Sequence, residues 1–383
     1  MKIAIDCADL DSSRIDGTRI YIKNVLNYLG DLAPQDDFWL FHRKEFNPVL
    51  KPKIFSNYQN RKIPYPFLWT QTKFAFELLQ LRPAIVWMPI QQIPLLTAGK
   101  IKIVFTAHDL AFKIFPKSFK LSDRKKLNFF IDSAVRRADG IIAVSQSTKK
   151  DLLRFFPLLE EEKIKVIYHG FDAQQFCQKF SQEEINKNLN KYNLIKDQRE
   201  VRFLLYVGAL QPRKNLPLLI EAFEEIKGKK GLGDLRLVLV GAPAWLAEET
   251  LRKVRNSVFS QDIILTGEVD FSVLTLLYRK AKLLVFPSLY EGFGLPILEG
   301  WASETPVLVA DNSSLKEIGG MAVEKFSTFS KKDLADKVEK LLADESLRKD
   351  LVIKGKKALE NFSWKKCAEE TLEFLKIIAQ KND

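Results

Sequence analysis

Residues 283–310 read LLVFPSLYEGFGLPILEGWASETPVLVA, a strand, a turn, a helix and a second strand in 28 residues. Leu283 to Pro287 (LLVFP) and Pro306 to Ala310 (PVLVA) are short continuous apolar runs, the pattern of strands covered on both faces of a parallel sheet. Between them, Glu291-Gly292-Phe293-Gly294 forms a turn whose glycines tolerate positive φ and close approach by a ligand. A helix follows from Pro296, a residue suited to a first helical turn.

The same alternation extends outward in both directions. Toward the N-terminus of this region, strands are expected at Arg202 to Val207, Leu235 to Val240 and Ile263 to Thr266, with helices at Leu216 to Lys227, Trp245 to Arg255 and Phe271 to Ala281. An earlier series has strands at Lys2 to Ile5, Phe38 to Phe41, Ile85 to Met88, Lys102 to Ala107, Gly140 to Val144 and Lys165 to Tyr168. Its helices fall at Tyr21 to Leu29, Trp69 to Leu81, Leu121 to Arg137 and Ser147 to Phe155. Two doubly wound α/β sheets follow. The polar stretch Asp172 to Glu200 separates them, giving expected domains at 1–172 and 173–362. An amphipathic helix at 363–383 is expected to pack back on the N-terminal domain.

Parallel α/β sheets bind ligands at the carboxyl ends of their strands, so chemistry is sought in the turns. The 291–294 turn and the helix start after it combine backbone N–H groups with a favourable dipole for an anion. Glu291 lies in the turn and Glu299 eight residues later on the helix, a spacing that suits two contacts on an extended polar ligand. A tight strand-to-helix connection is the alternative. The dinucleotide fingerprint G-x-G-x-x-G is not met, because Gly292 and Gly294 are followed by Ile297.

After the strand Arg202 to Val207, Gly208 opens a loop that presents Arg213 and Lys214 just before a helix. Cations there oppose the helix dipole but can neutralise a diphosphate, Arg with a fork and Lys with a point charge. A solvated loop is the competing reading. His108, one of three histidines, ends the strand Lys102 to Ala107 beside Asp109. It can bind a hydroxyl or phosphate oxygen, transfer a proton, or serve structurally. Asp16-Gly17-Thr18-Arg19 is either an acceptor-side loop or a plain turn.

Composition bounds the partners. The 383 residues are 46% hydrophobic and 28% charged, which excludes disordered and collagen-like classes. Net charge is +12, and residues 1–170 carry 27 basic against 17 acidic groups, so the excess is N-terminal. In Lys113 to Lys126 (KIFPKSFKLSDRKK), lysines alternate with Phe112, Phe115 and Phe119, the look of an interfacial segment or of a solvated loop and helix. Cys7, Cys177 and Cys367 have no metal-ligand spacing or disulfide pattern, as in a reducing cytosol. No signal-peptide core and no run of 18 apolar residues is present.

The motifs Glu291-Gly292-Phe293-Gly294-Leu295-Pro296 with Glu299, Gly208 with Arg213-Lys214-Asn215, Thr106-Ala107-His108-Asp109-Leu110 and Ala143-Val144-Ser145-Gln146-Ser147 together resemble retaining glycosyltransferases of family 4. The resemblance implies a GT-B fold, two Rossmann-like domains facing a cleft. It implies that Arg213 and Lys214 bind the donor diphosphate, Glu291 the donor sugar and Glu299 the ribose. Gly208, Gly292, Phe293, Gly294 and Leu295 would line the donor site, Val269 would contact the base, and His108 the sugar near its reacting face. Gly17, Asp109 and Ser145 would lie on the acceptor side. Asn312-Ser313-Ser314-Leu315 with Glu317-Ile318 is similar to mannosyltransferase-like members, so GDP-mannose is the favoured donor, with UDP-glucose and deoxysugar donors open.

The expected partners are a nucleotide-sugar, a glycan or lipid-linked acceptor and an anionic membrane surface, with no metal, no cofactor and no nucleic acid. The expected location is cytoplasmic, peripheral at the inner face of the membrane. A GT-B epimerase or phosphorylase is the alternative enzyme, and a basic nucleic-acid-binding protein the alternative outside enzymes.

Overall fold

The computed structural model describes residues 1–65, 67–95, 101–229 and 231–381. The chain forms two compact units. The first holds Met1–Ile114, Leu121–Phe171 and the C-terminal segment from Phe362; the second holds Phe115–Lys120 and Asp172–Asn361.

In the first unit, β1 (Lys2–Asp6), β2 (Asp37–His42), β3 (Tyr58–Lys62), β4 (Ile85–Met88), β5 (Lys102–Ala107), β6 (Gly140–Ala143) and β7 (Ile164–Val166) form one parallel sheet in the order β3-β2-β1-β4-β5-β6-β7. Ile3 stands opposite both Phe38 and Ile85, which makes β1 central. In the second unit a two-residue hairpin, β8 (Ile195–Lys196) and β9 (Arg199–Glu200), precedes the main sheet. That sheet contains β10 (Phe203–Val207), β11 (Arg236–Val240), β12 (Ile263–Gly267), β13 (Leu283–Phe286), β14 (Val307–Ala310) and β15 (Glu324–Phe326), ordered β12-β11-β10-β13-β14-β15. Both sheets are all parallel. The two-domain α/β expectation is met.

Each sheet reverses its winding once, between β1 and β4 and between β10 and β13. Crevices open at such switch points because the two crossover connections leave in opposite directions. The central strands carry no polar face: β4 and β13 are buried throughout, and β10 nearly so. In the first unit Ile3, Ile5, Tyr21, Leu26 and Trp87 meet Cys367, Leu372 and Leu375 of the helix Trp364–Gln380 in one core. Each such side chain contributes roughly 1.5–3 kcal/mol by leaving water. The approach is close, since a Cβ on Gly170 would lie 2.0 Å from the Trp364 nitrogen.

Several elements lacked an apolar signal in the sequence. β3 (YQNRK) is an edge strand with four of five residues exposed, where polar side chains also guard against edge pairing. The helix Gln182–Lys191 lies inside the polar boundary stretch and buries only Leu189, starting from a capping box between Ser181 and Glu184. The helices Ser313–Gly319, Lys331–Ala343 and Glu345–Leu359 complete the second unit.

Phe115–Lys120 belongs to the second unit although it precedes the division at residues 171 and 172. Within the second unit the Phe119 ring lies 5.9 Å from Trp245, the Phe115 ring 6.4 Å from Tyr290, and Trp245 Nε1 donates to the Ser118 carbonyl at 2.8 Å. Phe112 is core, and Lys113 is ion-paired with Asp132 at 2.9 Å. The aromatic rings of this segment are therefore occupied by packing, while Lys117, Lys120 and Lys125 remain exposed.

Candidate active site

The loops that leave β10 and β13 flank the switch point of the second sheet. After β10, Gly208 takes φ +145 and its N–H donates to the Val240 carbonyl at 2.9 Å. Gly241, at φ +135, lies against it so closely that a Cβ there would sit 2.2 Å from the Gly208 oxygen. The loop then makes a single 3-10 turn, Pro212–Lys214, and Asn215 adopts a left-handed conformation (φ 56) before the helix Leu216–Lys227. This geometry turns Arg213 and Lys214 toward the neighbouring loop. The Leu289 N–H donates to the Arg213 carbonyl at 2.8 Å, and Arg213 Nη1 donates to the Tyr290 carbonyl at 3.0 Å.

Glu291 is the meeting point. Arg213 Nη1 donates to Glu291 Oε2 at 2.8 Å and Lys214 Nζ to Oε1 at 2.5 Å. Lys214 also lies over the Phe286 ring, 5.1 Å from its centroid. Glu291 is 7% exposed and Lys214 8%. Burial alone would push the carboxyl up, but the adjacent guanidinium and ammonium outweigh it and hold Glu291 at about 2. The sequence reading distributed these three residues between diphosphate and sugar. The structure joins them in one charge-assisted cluster, which holds two cations fixed, largely dehydrated and together carrying a net positive charge.

The rest of the donor motif surrounds that cluster. Gly294 (φ 104) is the N-cap of the helix Leu295–Ala302, and Gly292 and Phe293 are buried in the turn. Glu299 accepts a hydrogen bond from the buried Tyr278 hydroxyl at 2.5 Å, and burial raises its pKa against that bond. Val269 sits half-buried beyond the carboxyl end of β12.

The motif at Asn312 to Ser314 proves to be a brace. Ser313 Oγ accepts from the Glu291 N–H at 3.0 Å and donates to Asn312 Oδ1 at 2.7 Å, while Ser314 Oγ donates to the Glu291 carbonyl at 2.8 Å. Asn312 Nδ2 in turn donates to the Ser288 carbonyl at 2.8 Å. Both backbone polar groups of Glu291 are thus held by serines about 22 residues away, so the turn that carries the carboxylate is fixed.

The remaining predicted residues belong to the first unit. His108 donates through Nε2 to the Pro89 carbonyl at 2.8 Å, and its burial lowers its pKa, so the neutral ring is favoured. Asp109 accepts from the Ala111 N–H at 3.0 Å; it caps the next turn. Thr106 receives the Trp87 Nε1–H at 3.1 Å and pairs with the Tyr21 hydroxyl at 3.3 Å, a structural bridge. Gly17 is the first residue of the helix Gly17–Leu32, behind the Asp16 cap. Ser145 is corrected: it is wholly buried, and its hydroxyl accepts from the Thr148 N–H at 3.0 Å as the N-cap of Gln146–Phe155, which leaves it no acceptor-side face.

One buried carboxyl lay outside the sequence reading. Asp6 ends β1 at the first sheet's switch point, is 5% exposed, and lines a cavity of about 230 Å³ with Ala8, Asp9, Arg43, Trp69 and Gln92 among others. Burial, the dominant cause, raises its carboxyl to about 7. The only trace in sequence is a lone Asp closing the apolar run KIAI.

Comparison with known proteins places both units in families. Residues 28–175 match the model of Glycosyltransferase Family 4, and residues 187–358 that of Glycosyl transferases group 1. The chain is 29% identical over 283 residues to the O-antigen chain mannosyltransferase RfbU of Salmonella typhimurium, covering 73% of this chain and 71% of that one. It is 28% identical over 276 residues to the serotype-specific mannosyltransferase WbdA of Escherichia coli, covering 71% of this chain but only 33% of WbdA. Among solved structures, Anabaena Alr3699/HepE in complex with UDP-glucose superposes with a TM-score of 0.74 at 16% identity, over 98% of this chain and all of that one.

Proposed function

Because the chain belongs to the glycosyltransferases, with a Family 4 domain followed by a group 1 domain, we propose that it is a retaining mannosyltransferase moving mannose from GDP-mannose to a hydroxyl of a glycan or lipid-linked acceptor. The observation that carries this reading is the convergence of Arg213, Lys214 and Glu291 at the switch point of the second sheet. The mannosyltransferase names of RfbU and WbdA favour mannose.

On this reading Glu291 balances the two cations until the donor arrives. The donor diphosphate then brings its own negative charge to groups already oriented and dehydrated. As the diphosphate departs its charge grows, so Arg213 and Lys214 stabilise the transition state more than the bound ground state. No metal is required, because those two side chains meet the phosphate charge. The Glu291 carboxylate, anchored through its backbone by Ser313 and Ser314, accepts a hydroxyl hydrogen bond from the transferred sugar. The enzyme acts in the cytoplasm, and Lys117, Lys120 and Lys125 are the exposed cations offered to anionic lipid when the acceptor is membrane-borne.

A thermal-shift screen of GDP, UDP and dTDP and their hexose conjugates tests the donor. A ligand at 100 times its Kd stabilises the folded chain by about 2.7 kcal/mol, so GDP-mannose should give the largest shift. A larger shift with UDP-glucose would overturn the mannose assignment, and no shift with any nucleotide would overturn the reading as a whole.

A further inference from the structure

The cluster of Arg213, Lys214 and Glu291 is built by the loops after β10 and β13, and a further loop is bonded to what holds each of them. That loop, residues 327–330, runs from β15 to the helix Lys331–Ala343. Its own shape is fixed at both ends. The Ser327 N–H donates to Asp333 Oδ2 at 2.7 Å, the Asp333 N–H donates to Ser330 Oγ at 3.1 Å, and the Ser330 N–H closes the turn on the Ser327 carbonyl at 2.9 Å. Ser330 is the N-cap of the helix, and Asp333 lies in its first turn, where the helix dipole favours a carboxylate. Between these anchors Thr328 is half-buried, while its neighbour Phe329 is 76% exposed.

Thr328 gives its two oxygens to two different partners. Its carbonyl accepts from Asn215 Nδ2 at 3.3 Å. Asn215 directly follows Lys214, and its left-handed conformation joins the turn Pro212–Lys214 to the next helix. The Thr328 hydroxyl accepts from Asn312 Nδ2 at 3.0 Å. The same amide donates to the Ser288 carbonyl at 2.8 Å and accepts from Ser313 Oγ, and Ser313 in turn receives the Glu291 N–H. Thr328 is therefore tied to the backbone beside Lys214 through one side chain, and to the backbone of Glu291 through Asn312 and Ser313. The direct backbone contacts between the two loops engage Arg213, so this tie acts on the side that they leave. Groups that work in a transition state need placing to within about 0.5 Å, and such placement comes from a supporting shell of hydrogen bonds.

We infer that Thr328 is a positioning residue for glycosyl transfer: by bonding Asn215 and Asn312 together, it fixes the separation between the two cations and the Glu291 carboxylate. The inference rests on reading that cluster as the site of the donor diphosphate. Thr328 acts through Asn215 and Asn312 and needs no contact with substrate. Its loss weakens the stabilisation of the departing diphosphate, which needs both cations in place at once, more than it weakens binding of the intact donor.

Thr328→Val removes the hydroxyl at nearly constant shape, Thr328→Ser restores it, and Asn215→Gly removes the amide while keeping a residue suited to positive φ. In steady-state kinetics of the full chain with the nucleotide-sugar it turns over, Thr328→Val should lower kcat about ten-fold and change donor KM by less than about two-fold. Thr328→Ser should recover most of that loss. Asn215→Gly should resemble Thr328→Val, and the double variant should lose much less than the product of the two, because both break one tie. Phe329→Ala, in the same turn, is the control for general loop damage and should leave kcat and KM unchanged. A second measurement does not depend on the donor: in urea unfolding, Thr328→Val should lower the folding equilibrium constant about five-fold more in the wild-type background than in Glu291→Gln. Wild-type kcat in Thr328→Val, a loss that Thr328→Ser does not recover, an equal loss in Phe329→Ala, or equal destabilisation in both backgrounds would overturn the inference. If the wild type turns over no nucleotide-sugar, the donor reading fails, and the unfolding cycle still decides whether Thr328 sets the cluster.

Discussion

The two switch points share a topology and a carboxylate but not an electrostatic sign. Each carboxylate lies at or just beyond the carboxyl end of an interior strand with an apolar middle and is almost completely removed from water. Glu291 has Arg213 and Lys214 within hydrogen-bond reach and is held at about 2; Asp6 has one backbone N–H and is pushed up to about 7. The fold supplies position and dryness in both units. The side chains beside the carboxyl decide whether it is held ionised or pushed toward its neutral form.

The largest effect should come from erasing the difference in the second unit. Arg213→Ala/Lys214→Ala removes both cations, and turnover of the sugar donor should fall about 10³-fold or more, since one preorganised donor of this kind is worth about 10²–10³-fold. Steady-state kinetics at saturating donor checks this. A loss of only a few fold would mean the cluster is structural.

The next effect is the opposite pH response of the two carboxyls. Glu291 has a lowered pKa, so its contribution is fully present above about 4.5, its ordinary value, and is lost as pH falls toward about 2; the amount is on the order of 3 kcal/mol. Asp6 has a raised pKa, so the folded state binds the extra proton and stability declines as pH rises from about 4 to about 7, by on the order of 4 kcal/mol. Urea unfolding across pH should therefore show Asp6→Asn gaining on the wild type above pH 7, and Glu291→Gln losing the acid-limb slope. Parallel pH profiles for the two variants would break the contrast.

The smallest effect separates structure from recognition within the first unit. Ser145→Ala should cost about 1 kcal/mol of stability through the lost N-cap and leave acceptor KM unchanged. A raised acceptor KM at unchanged stability would restore Ser145 to the acceptor side.

The turn cluster of the second unit was legible because its chemistry is local. Gly208, Arg213-Lys214 and the 291–299 motif each lie within a dozen residues of a strand end, where turn glycines and cations against a helix dipole stand out. Asn312 to Ser314 was legible as a motif but not as a brace, because its partners are the backbone groups of a turn about 22 residues away. Ser145 and Asp109 read as ligand contacts from their place after a strand, yet that same place is where helix N–H groups need caps. The rings of Phe115 and Phe119 read as interfacial because alternation with lysine does not reveal that Tyr290 and Trp245 cover them.

Sequence by itself determined the two parallel sheets, their central strands and the residue types available at each turn, because hydrophobic period and turn chemistry act over a few neighbours. Only the tertiary structure decided which charges meet. Arg213, Lys214 and Glu291 are 77 and 78 residues apart and become one cluster because β10 and β13 are neighbours in the sheet. Among the described residues Asp6 keeps one hydrogen-bond partner, the Ala8 N–H, at the end of a strand that lies between two others in its sheet. Charge interactions depend on distance and dehydration, and both are set by strand order rather than by sequence separation.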